Sequence, residues 1–185
     1  MSEQASHGRL SGKRALAFVG DIYEDLELLY PRLRLLEEGA QVTLAGQESA
    51  GRVYKGKYGY PIASDARVSE IDPSHFDILV IPGGFMPDKL RRDADVLRIT
   101  RAMHEAGRPV AHICHGGWIP ISAGVVRGLT VTSTPGIRDD LVNAGAEWVD
   151  REVVVDRNHI TSRRPDDLPA FCRAIIAMAC VGERD

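Results

Sequence analysis

Short apolar segments alternate along this chain with longer segments whose apolar residues recur every three to four positions, and this alternation restricts the fold most. RALAFV at 14–19, QVTLAG at 41–46 and FDILVIPGG at 76–84 predict buried strands. Segments of helical spacing follow individual strands, as in 23–40, where Leu26, Leu29, Leu33 and Leu36 recur. Strands that alternate with helices predict a mainly parallel sheet with helices on both faces, which is an α/β fold.

Turn residues and the same periodicities predict the other elements. Pro31 lies inside the first predicted helix and should kink it, and a helix at 87–107 should break near Asp93. Glycines, prolines and tyrosines at 51–62 predict a hairpin or a loop excursion. The remaining predictions are strands at 109–114, 129–133, 152–156 and 159–163, with a hairpin turn at Arg157 and Asn158, and helices at 116–123, 136–146 and 166–181.

The size and charge of the chain narrow the class of protein. A length of 185 residues fits one domain with one core, which we assign to residues 14–183 after a flexible leader at 1–13. The formal net charge of −3 gives no electrostatic basis for binding nucleic acid or an anionic membrane. No apolar run reaches the roughly 18 residues that span a bilayer, and no signal peptide is apparent. We therefore expect a cytoplasmic protein.

The cysteines and histidines do not predict a disulfide framework or a metal site. Cys114, Cys172 and Cys180 make an odd number without a CxxC pair. His112 and His115 stand three positions apart but straddle a strand end and a turn. PGGF at 82–85 is not a dinucleotide fingerprint, and no Walker motif is present. We expect neither a metal nor a cofactor.

Cys114 stands between an apolar strand and an apolar helical segment, followed directly by a histidine and two glycines. A tight strand-to-helix turn exposes its central side chain above the sheet, as in a nucleophile elbow. A thiol at a helix N-terminus is expected to have a lowered pKa. Cys114 is therefore the predicted nucleophile, whereas Cys172 and Cys180, on the last helix, are predicted to be inert core residues.

Neighbouring groups could serve a reaction at this sulfur. His115 could act as a general base or as a partner of the thiolate, although adjacent residues on a turn often point apart. Gly83 and Gly84 end another strand, where they either allow close approach of a substrate or only form a tight turn. The backbone N–H groups of Gly84 and His115 could together form an oxyanion hole.

Four segments closely resemble the PfpI family of intracellular cysteine proteases or amidases: VIPGGFMPDKLR, AHICHGGWIPISAG, RDDLVNAGAEWVD and TSRRPDDLPAF. This family belongs to the superfamily of the human parkinsonism-associated protein and the class I glutamine amidotransferases. The resemblance runs from about residue 14 to 180, and it implies a flavodoxin-like three-layer sandwich with Cys114 at the elbow. It also implies that the carboxyl group of Glu27, in YEDLE, hydrogen-bonds the sulfur, and burial could keep that carboxyl protonated.

The resemblance further implies catalytic roles for His115 and for an acid supplied by a neighbouring subunit. Asp88 occupies the position of that acid, where the family pattern has glutamate, whose side chain is one methylene longer. If Asp88 acts, a homo-oligomer completes the site, and the sequence does not distinguish a dimer from a hexamer.

Other residues are candidates for the pocket around Cys114. Tyr58 and Tyr60 match a loop that carries a histidine in some relatives, and they could line the pocket or a subunit interface. His112 lies on the strand face of Cys114 by the period of two, either as a core histidine or as a second imidazole near the site. Trp118 is a further pocket candidate.

The implied function is a cysteine-dependent enzyme of general stress protection. It would act on small carbonyl compounds, by glyoxalase III-type chemistry, or on amide and peptide bonds. Glu27 and His115 are the candidates for proton transfer. The alternative is a redox-sensing or chaperone-like stress protein in which Cys114 is oxidised without turnover.

Overall fold

The computed structural model describes residues 8–180, in which a seven-stranded sheet is flanked by helices. The strands are β1 (Arg14–Phe18), β2 (Gln41–Gly46), β3 (Val53–Lys55), β4 (Pro61–Ala63), β5 (Ala66–Arg67), β6 (Ile78–Ile81), β7 (Val110–Ile113), β8 (Thr130–Val131), β9 (Glu147–Trp148), β10 (Val153–Asp156) and β11 (His159–Ser162). The helices are α1 (Asp25–Glu37), α2 (Met86–Leu90), α3 (Ala94–Glu105), α4 (Trp118–Ala123), α5 (Arg138–Asn143) and α6 (Leu168–Cys180). Short 3₁₀ turns, among them Cys114–Gly117, connect several of these elements.

The strand order of the central sheet is β10-β11-β7-β6-β1-β2-β5. Its neighbouring strands run parallel, except that β10 and β11 form the predicted antiparallel hairpin. Helix α1 contacts α6, whereas α4 contacts both α2 and α3, so the helices form two packed groups. The predicted α/β sandwich with a mainly parallel sheet is confirmed.

Helix α1 shows how the fold selects one face of an amphipathic segment. It continues through Pro31 and buries that residue together with Leu28 and Leu35. The leucines whose spacing predicts the helix lie on its outer side, with Leu26 55% and Leu33 59% exposed. The helix is therefore where the sequence predicts it, but its core contacts come from the other apolar face.

Some predicted elements change where the fold pairs short segments. The predicted break near Asp93 is present, because Oδ1 of Asp93 accepts the Asp95 N–H and starts α3. The excursion at 51–62 is the β3–β4 hairpin. The strand expected at 129–133 is reduced to β8, which pairs with β9 outside the central sheet.

Part of the predicted leader packs against the domain. Leu10 is fully buried, and its N–H donates to the carbonyl of Glu38 at 2.7 Å. Packed structure therefore starts before Arg14, while residues 1–7 of the leader and the predicted domain end at residue 183 lie outside the described residues. Within residues 8–180, no helix combines the length and the apolar character needed to cross a bilayer.

Candidate active site

Three loops meet at the carboxyl edge of the sheet, where parallel α/β folds place their sites. They follow β1, β6 and β7, which are adjacent strands. Tyr23, after β1, forms an isolated antiparallel bridge with Gly84, after β6. The N–H of Glu24 donates to the carbonyl of Gly83 at 3.1 Å. The loop before α1 is thereby fixed to the glycine turn, beside the cysteine that follows β7.

Cys114 occupies a strained turn directly after β7. Its φ is +59°, a left-handed conformation that costs on the order of 1–3 kcal/mol outside glycine. The turn packs closely beneath the cysteine, since a Cβ on Gly116 would lie 2.4 Å from the carbonyl oxygen of Ile81. The side chain of Cys114 is partly exposed, so its position at this turn matches the elbow geometry that the sequence predicts.

Glu27 supplies a buried carboxyl group beside this cysteine. It lies in the first turn of α1, and its Oε2 accepts the Gly83 N–H at 2.8 Å. The second oxygen, Oε1, is also buried, and no group among residues 8–180 donates a hydrogen bond to it. This oxygen is therefore available to the thiol of Cys114. A Cβ on Gly83 would lie 2.5 Å from Oε2 and 2.8 Å from Cβ of Cys114. Glycine at position 83 therefore lets the carboxyl and the cysteine approach each other.

The two groups shift each other's acidity. Burial, together with the charge of Glu24, raises the pKa of Glu27 to about 8. Burial and then the charge of Glu27 raise the pKa of Cys114 to about 12, while the backbone N–H groups of His115 and Gly84 oppose this rise. The lowered thiol pKa expected from the helix N-terminus is therefore wrong, because desolvation outweighs the N–H groups.

His115 does reach the sulfur, although it is adjacent in sequence. Its Nδ1 lies 3.3 Å from Sγ of Cys114. The ring of Trp118 lies 5.0 Å from the imidazole, and the indole N–H donates to Asp140 at 2.7 Å, which holds the indole in place. Burial and the charge of Lys57 lower the pKa of His115. The imidazole is therefore neutral at pH 7 and can accept a proton.

Asp88 and Tyr60 make no hydrogen bond or ion pair with the Cys114 group within the described chain. Asp88 lies in α2, half-exposed, and pairs with Arg92. Tyr60 is 55% exposed, and its carbonyl accepts the hydroxyl of Tyr23 at 2.7 Å. One copy of the chain therefore leaves both side chains at the surface.

His112 is part of a row of histidines. It is 1% exposed, and its Nε2 lies 3.4 Å from Nδ1 of His159, whose Nε2 lies 2.9 Å from Nδ1 of His104. Burial lowers the pKa of His112 well below its usual value. This arrangement matches the core-histidine alternative, since its imidazole pairs with β11 and not with the elbow.

No sequence pattern points to Lys57, which the β3–β4 hairpin brings close to the elbow. Its N–H donates to the carbonyl of Tyr23 at 2.7 Å. Its charge lowers the pKa of both Glu27 and His115. A lysine between two short strands is not distinguishable in sequence from an ordinary solvated one, so only the tertiary contacts place it here.

A sizeable cavity lies at the opposite edge of the sheet. It has a volume of about 630 Å³ and is lined by Lys13, Asp77, Gly107, Arg108, Pro109, Arg157, Asn158, Met178 and Ala179. Several of these residues directly precede strands, so the cavity faces the amino ends, and its lining includes neither a cysteine nor a histidine. No group of three or more His, Cys, Asp or Glu side chains in the described range is arranged to hold a metal.

The parallel sheet and the cysteine at its carboxyl edge define a class of flavodoxin-like α/β domains. A model of the DJ-1/PfpI family matches residues 13–178, and the chain belongs to this family. A deglycase of Pyrococcus abyssi is 47% identical over 165 residues, covering 89% of this chain and 98% of that protein. Deglycase PfpI of Pyrococcus furiosus is 49% identical over 156 residues, covering 84% and 93%.

A solved structure agrees with the same family. It is a two-domain protein of Anabaena variabilis with DJ-1/ThiJ/PfpI-like and ferritin-like domains, which matches with a TM-score of 0.87 at 37% identity. The match covers 89% of this chain and 47% of that one. The predicted family and fold are thereby confirmed. Since the curated relatives are named deglycases, the prediction of an enzyme of this kind is also confirmed.

Proposed function

We propose that this chain is a cysteine-dependent deglycase that forms lactate from methylglyoxal and from its adducts with thiols. The observation that supports this most is the placement of the Glu27 carboxyl against Cys114, with two backbone N–H groups directed at the sulfur. Such a site can stabilise a sulfur anion that forms as the substrate binds, with His115 Nδ1 at 3.3 Å to take the thiol proton and a neutral carboxyl to donate one. The names of the two archaeal relatives agree with it.

The geometry fits a sequence of balanced steps. The thiolate of Cys114 adds to the aldehyde carbon, and the carbonyl oxygen becomes an oxyanion stabilised by N–H groups and protonated by Glu27. When the substrate is a thiol adduct, its thiol first leaves that carbon with the hydroxyl proton, which restores the aldehyde to which Cys114 adds. A base, His115 or the Glu27 carboxylate, removes the remaining C1 proton, and the proton returned to C2 gives a lactate thioester. Water cleaves the thioester and restores the thiol, so no oxidant is required.

Lactate formation tests this proposal directly. The product is measured with methylglyoxal and with its N-acetylcysteine adduct, because loss of methylglyoxal alone also reports reversible thiol capture. We expect Cys114→Ala to lose at least a hundredfold in rate. Cys180→Ser is the matched control, since Cys180 lies at the end of α6, where its thiol donates to the carbonyl of Arg9. Equal lactate formation by Cys114→Ala, or none by the native protein, would contradict the proposal.

Hydrolysis of amides is the second candidate that the same atoms support. The N–H groups of Gly84 and His115 would stabilise the oxyanion of a tetrahedral intermediate, and Cys114 would form a thioester. Release of a chromophore from peptide amides by the native protein, without lactate from methylglyoxal, would favour it. Oxidation of Cys114 by substoichiometric peroxide, without either turnover, would instead favour a redox sensor.

Self-association is also part of the proposal. Leu26, Leu33 and Leu36 form an exposed apolar stripe on α1, and such stripes commonly mark interfaces. Asp88 would then approach His115 of a neighbouring copy. Mixing inactive Cys114→Ala with inactive Asp88→Ala tests this, because a mixed oligomer contains one complete site. Activity that does not recover after subunit exchange would place Asp88 outside the site.

We further propose a cytoplasmic location. None of the three cysteines forms a disulfide, which suits a reducing compartment. Fractionation of cells that express the full chain tests this, and recovery in a membrane or extracellular fraction would contradict it.

A further inference from the structure

The β3–β4 hairpin, residues 53–63, is hydrogen-bonded to the loop that leads into α1. The N–H of Ile22 donates to the carbonyl of Lys55 at 2.8 Å, and the N–H of Lys57 donates to the carbonyl of Tyr23 at 2.7 Å. The Tyr23 hydroxyl donates to the carbonyl of Tyr60 at 2.7 Å. The hairpin tip is therefore fixed to the segment that positions Glu27.

A buried carboxylate strengthens this attachment. Asp25 is 7% exposed, and its oxygens accept the N–H groups of Tyr58 at 2.9 Å and Tyr60 at 3.1 Å. The approach is close enough that a Cβ on Gly56 would lie 2.4 Å from Asp25 Oδ1. The turn between β3 and β4 is thus a rigid support and not a loosely attached loop.

Lys57 is the cation that this support carries. Its side chain is exposed, with the ammonium 5.2 Å from the ring centre of Tyr58. It forms no salt bridge within residues 8–180, since the nearby acids are engaged elsewhere. Asp21 pairs with Arg52, Asp25 accepts the hairpin N–H groups, and Glu24 accepts the Glu27 N–H. The charge of Lys57 nevertheless acts on both Glu27 and His115.

We propose that Lys57 determines substrate preference by binding a carboxylate on the molecule that carries the carbonyl adduct. The enzyme would then favour adducts of amino acids and other carboxylate-bearing thiols over neutral ones. A single ammonium on a hairpin that is hydrogen-bonded to the loop beside the site matches one carboxylate, whereas a phosphate group would demand several converging donors. The inference rests on the proposed deglycase function and adds a substrate class to it.

Two substrates that differ in one group isolate this role. They are the methylglyoxal hemithioacetals of N-acetylcysteine, which has a free carboxylate, and of N-acetylcysteine amide, which is neutral. An exposed charge pair gives a preference of about two- to fivefold in kcat/KM for the acid at low ionic strength, and salt should reduce it. The ratio cancels any effect of Lys57 on His115 or Glu27, because both substrates meet the same catalytic groups.

The variants separate the ammonium from the hairpin that carries it. We expect Lys57→Met to bring the ratio to about one and Lys57→Arg to retain most of it. Lys55→Met is the matched control, because Lys55 is an exposed lysine of the same hairpin, two positions away in β3, whose N–H donates to Asp21. It should keep the native ratio.

The outcomes distinguish this inference from the function on which it rests. Lactate from both substrates with a native ratio near one, or a ratio that Lys57→Met leaves unchanged, would overturn the inference alone. Absence of lactate from both substrates would overturn the proposed function and the inference together. A preference that disappears in Lys57→Met and persists in Lys55→Met would establish the role.

Discussion

The Glu27 carboxyl and the Cys114 thiol share one buried site and hold their protons jointly. Burial raises the pKa of each group, and the charge of Glu27 raises the pKa of Cys114 further, whereas a hydrogen bond with Cys114 lowers the pKa of Glu27. The pair therefore loses its first proton near pH 8 and resists losing the second, because two neighbouring anions repel each other. Because Glu27 has the lower pKa of the two, the sulfur must give up its proton during catalysis, to His115 Nδ1 at 3.3 Å or to the Glu27 carboxylate.

The ultraviolet absorbance of the thiolate shows where that first charge resides. Sulfur faces the N–H groups of His115 and Gly84, and His115 Nδ1 lies beside it. These N–H groups only partly oppose burial and the charge of Glu27, so with a Cys114 pKa of about 12 and a Glu27 pKa of about 8 we expect no thiolate absorbance at pH 8 and a rise only toward pH 12 in the native protein. Cys114→Ser should lack the rise, and Cys180→Ser should keep it. A thiolate that already appears through about pH 8 would mean that the sulfur, and not Glu27, ionises first.

Replacing Glu27 by glutamine should change how stability depends on pH. The pKa of Glu27 is about 8 in the folded protein, so between its ordinary value and 8 the folded state binds a proton that the unfolded state has released. The stability that the Glu27 proton contributes is therefore fully present below about pH 4.5. It is lost as the pH rises through 8, by up to roughly 5 kcal/mol.

Urea unfolding at pH 5 and at pH 8.5 measures this effect. Glu27→Gln should remove most of the decline, because glutamine has no proton to lose. Glu37→Gln, at the exposed end of α1, serves as the control and should retain the native decline. A native protein that is equally stable at both pH values would show that Glu27 is ionised throughout.

The order of the elements was predictable because each long segment has a single period. The sheet interior is built from short apolar runs such as Val110–Ile113, all of whose residues are buried. The strands β5, β8 and β9 have two residues each, which is too short to show a period. The buried face of α1 was also not predictable, since leucines occur on both sides of that helix.

The residues of the elbow were predictable from the strand topology, whereas Lys57 beside it was not. Cys114 and the Gly83–Gly84 turn follow neighbouring parallel strands, so their meeting at one edge follows from topology. Lys57 reaches the same edge only through hydrogen bonds between the hairpin and the loop before α1. The predicted lowering of the Cys114 pKa was wrong because the sequence shows the helix N-terminus, but it shows neither the burial of the thiol nor the nearby charge of Glu27.

Adding one methyl group at Gly83 should separate Glu27 from Cys114. The new Cβ would lie 2.5 Å from Oε2 of Glu27 and 2.8 Å from Cβ of Cys114, so one of them must move. We expect Gly83→Ala to lower kcat/KM by about a hundredfold or more, because misplaced catalytic groups lose their alignment.

Gly51→Ala is the control, since that glycine has open space around it and a φ of +83°. It should lose about 1 kcal/mol of stability and keep its activity. Full activity in folded Gly83→Ala would show that this close approach is not needed.

The buried histidines predict a loss of stability in acid. Burial, with the neighbouring His104, lowers the pKa of His159 to about 4, and Asp156 only partly opposes this. Between pH 6.5 and 4 the unfolded chain binds a proton at this residue and the folded chain does not. The stability that His159 contributes is present above 6.5 and lost as pH falls to 4, by about 3 kcal/mol.

Urea midpoints at pH 7 and at pH 4.5 test that decline. His159→Gln keeps a polar side chain between His104 and His112 but does not titrate, so it should be less stable than the native protein at pH 7 and lose less on acidification. His75→Gln is the control, because His75 is exposed on a 3₁₀ turn and should leave the native decline intact. If His159→Gln and the native protein lose the same stability between the two pH values, then proton binding at other groups causes the acid sensitivity.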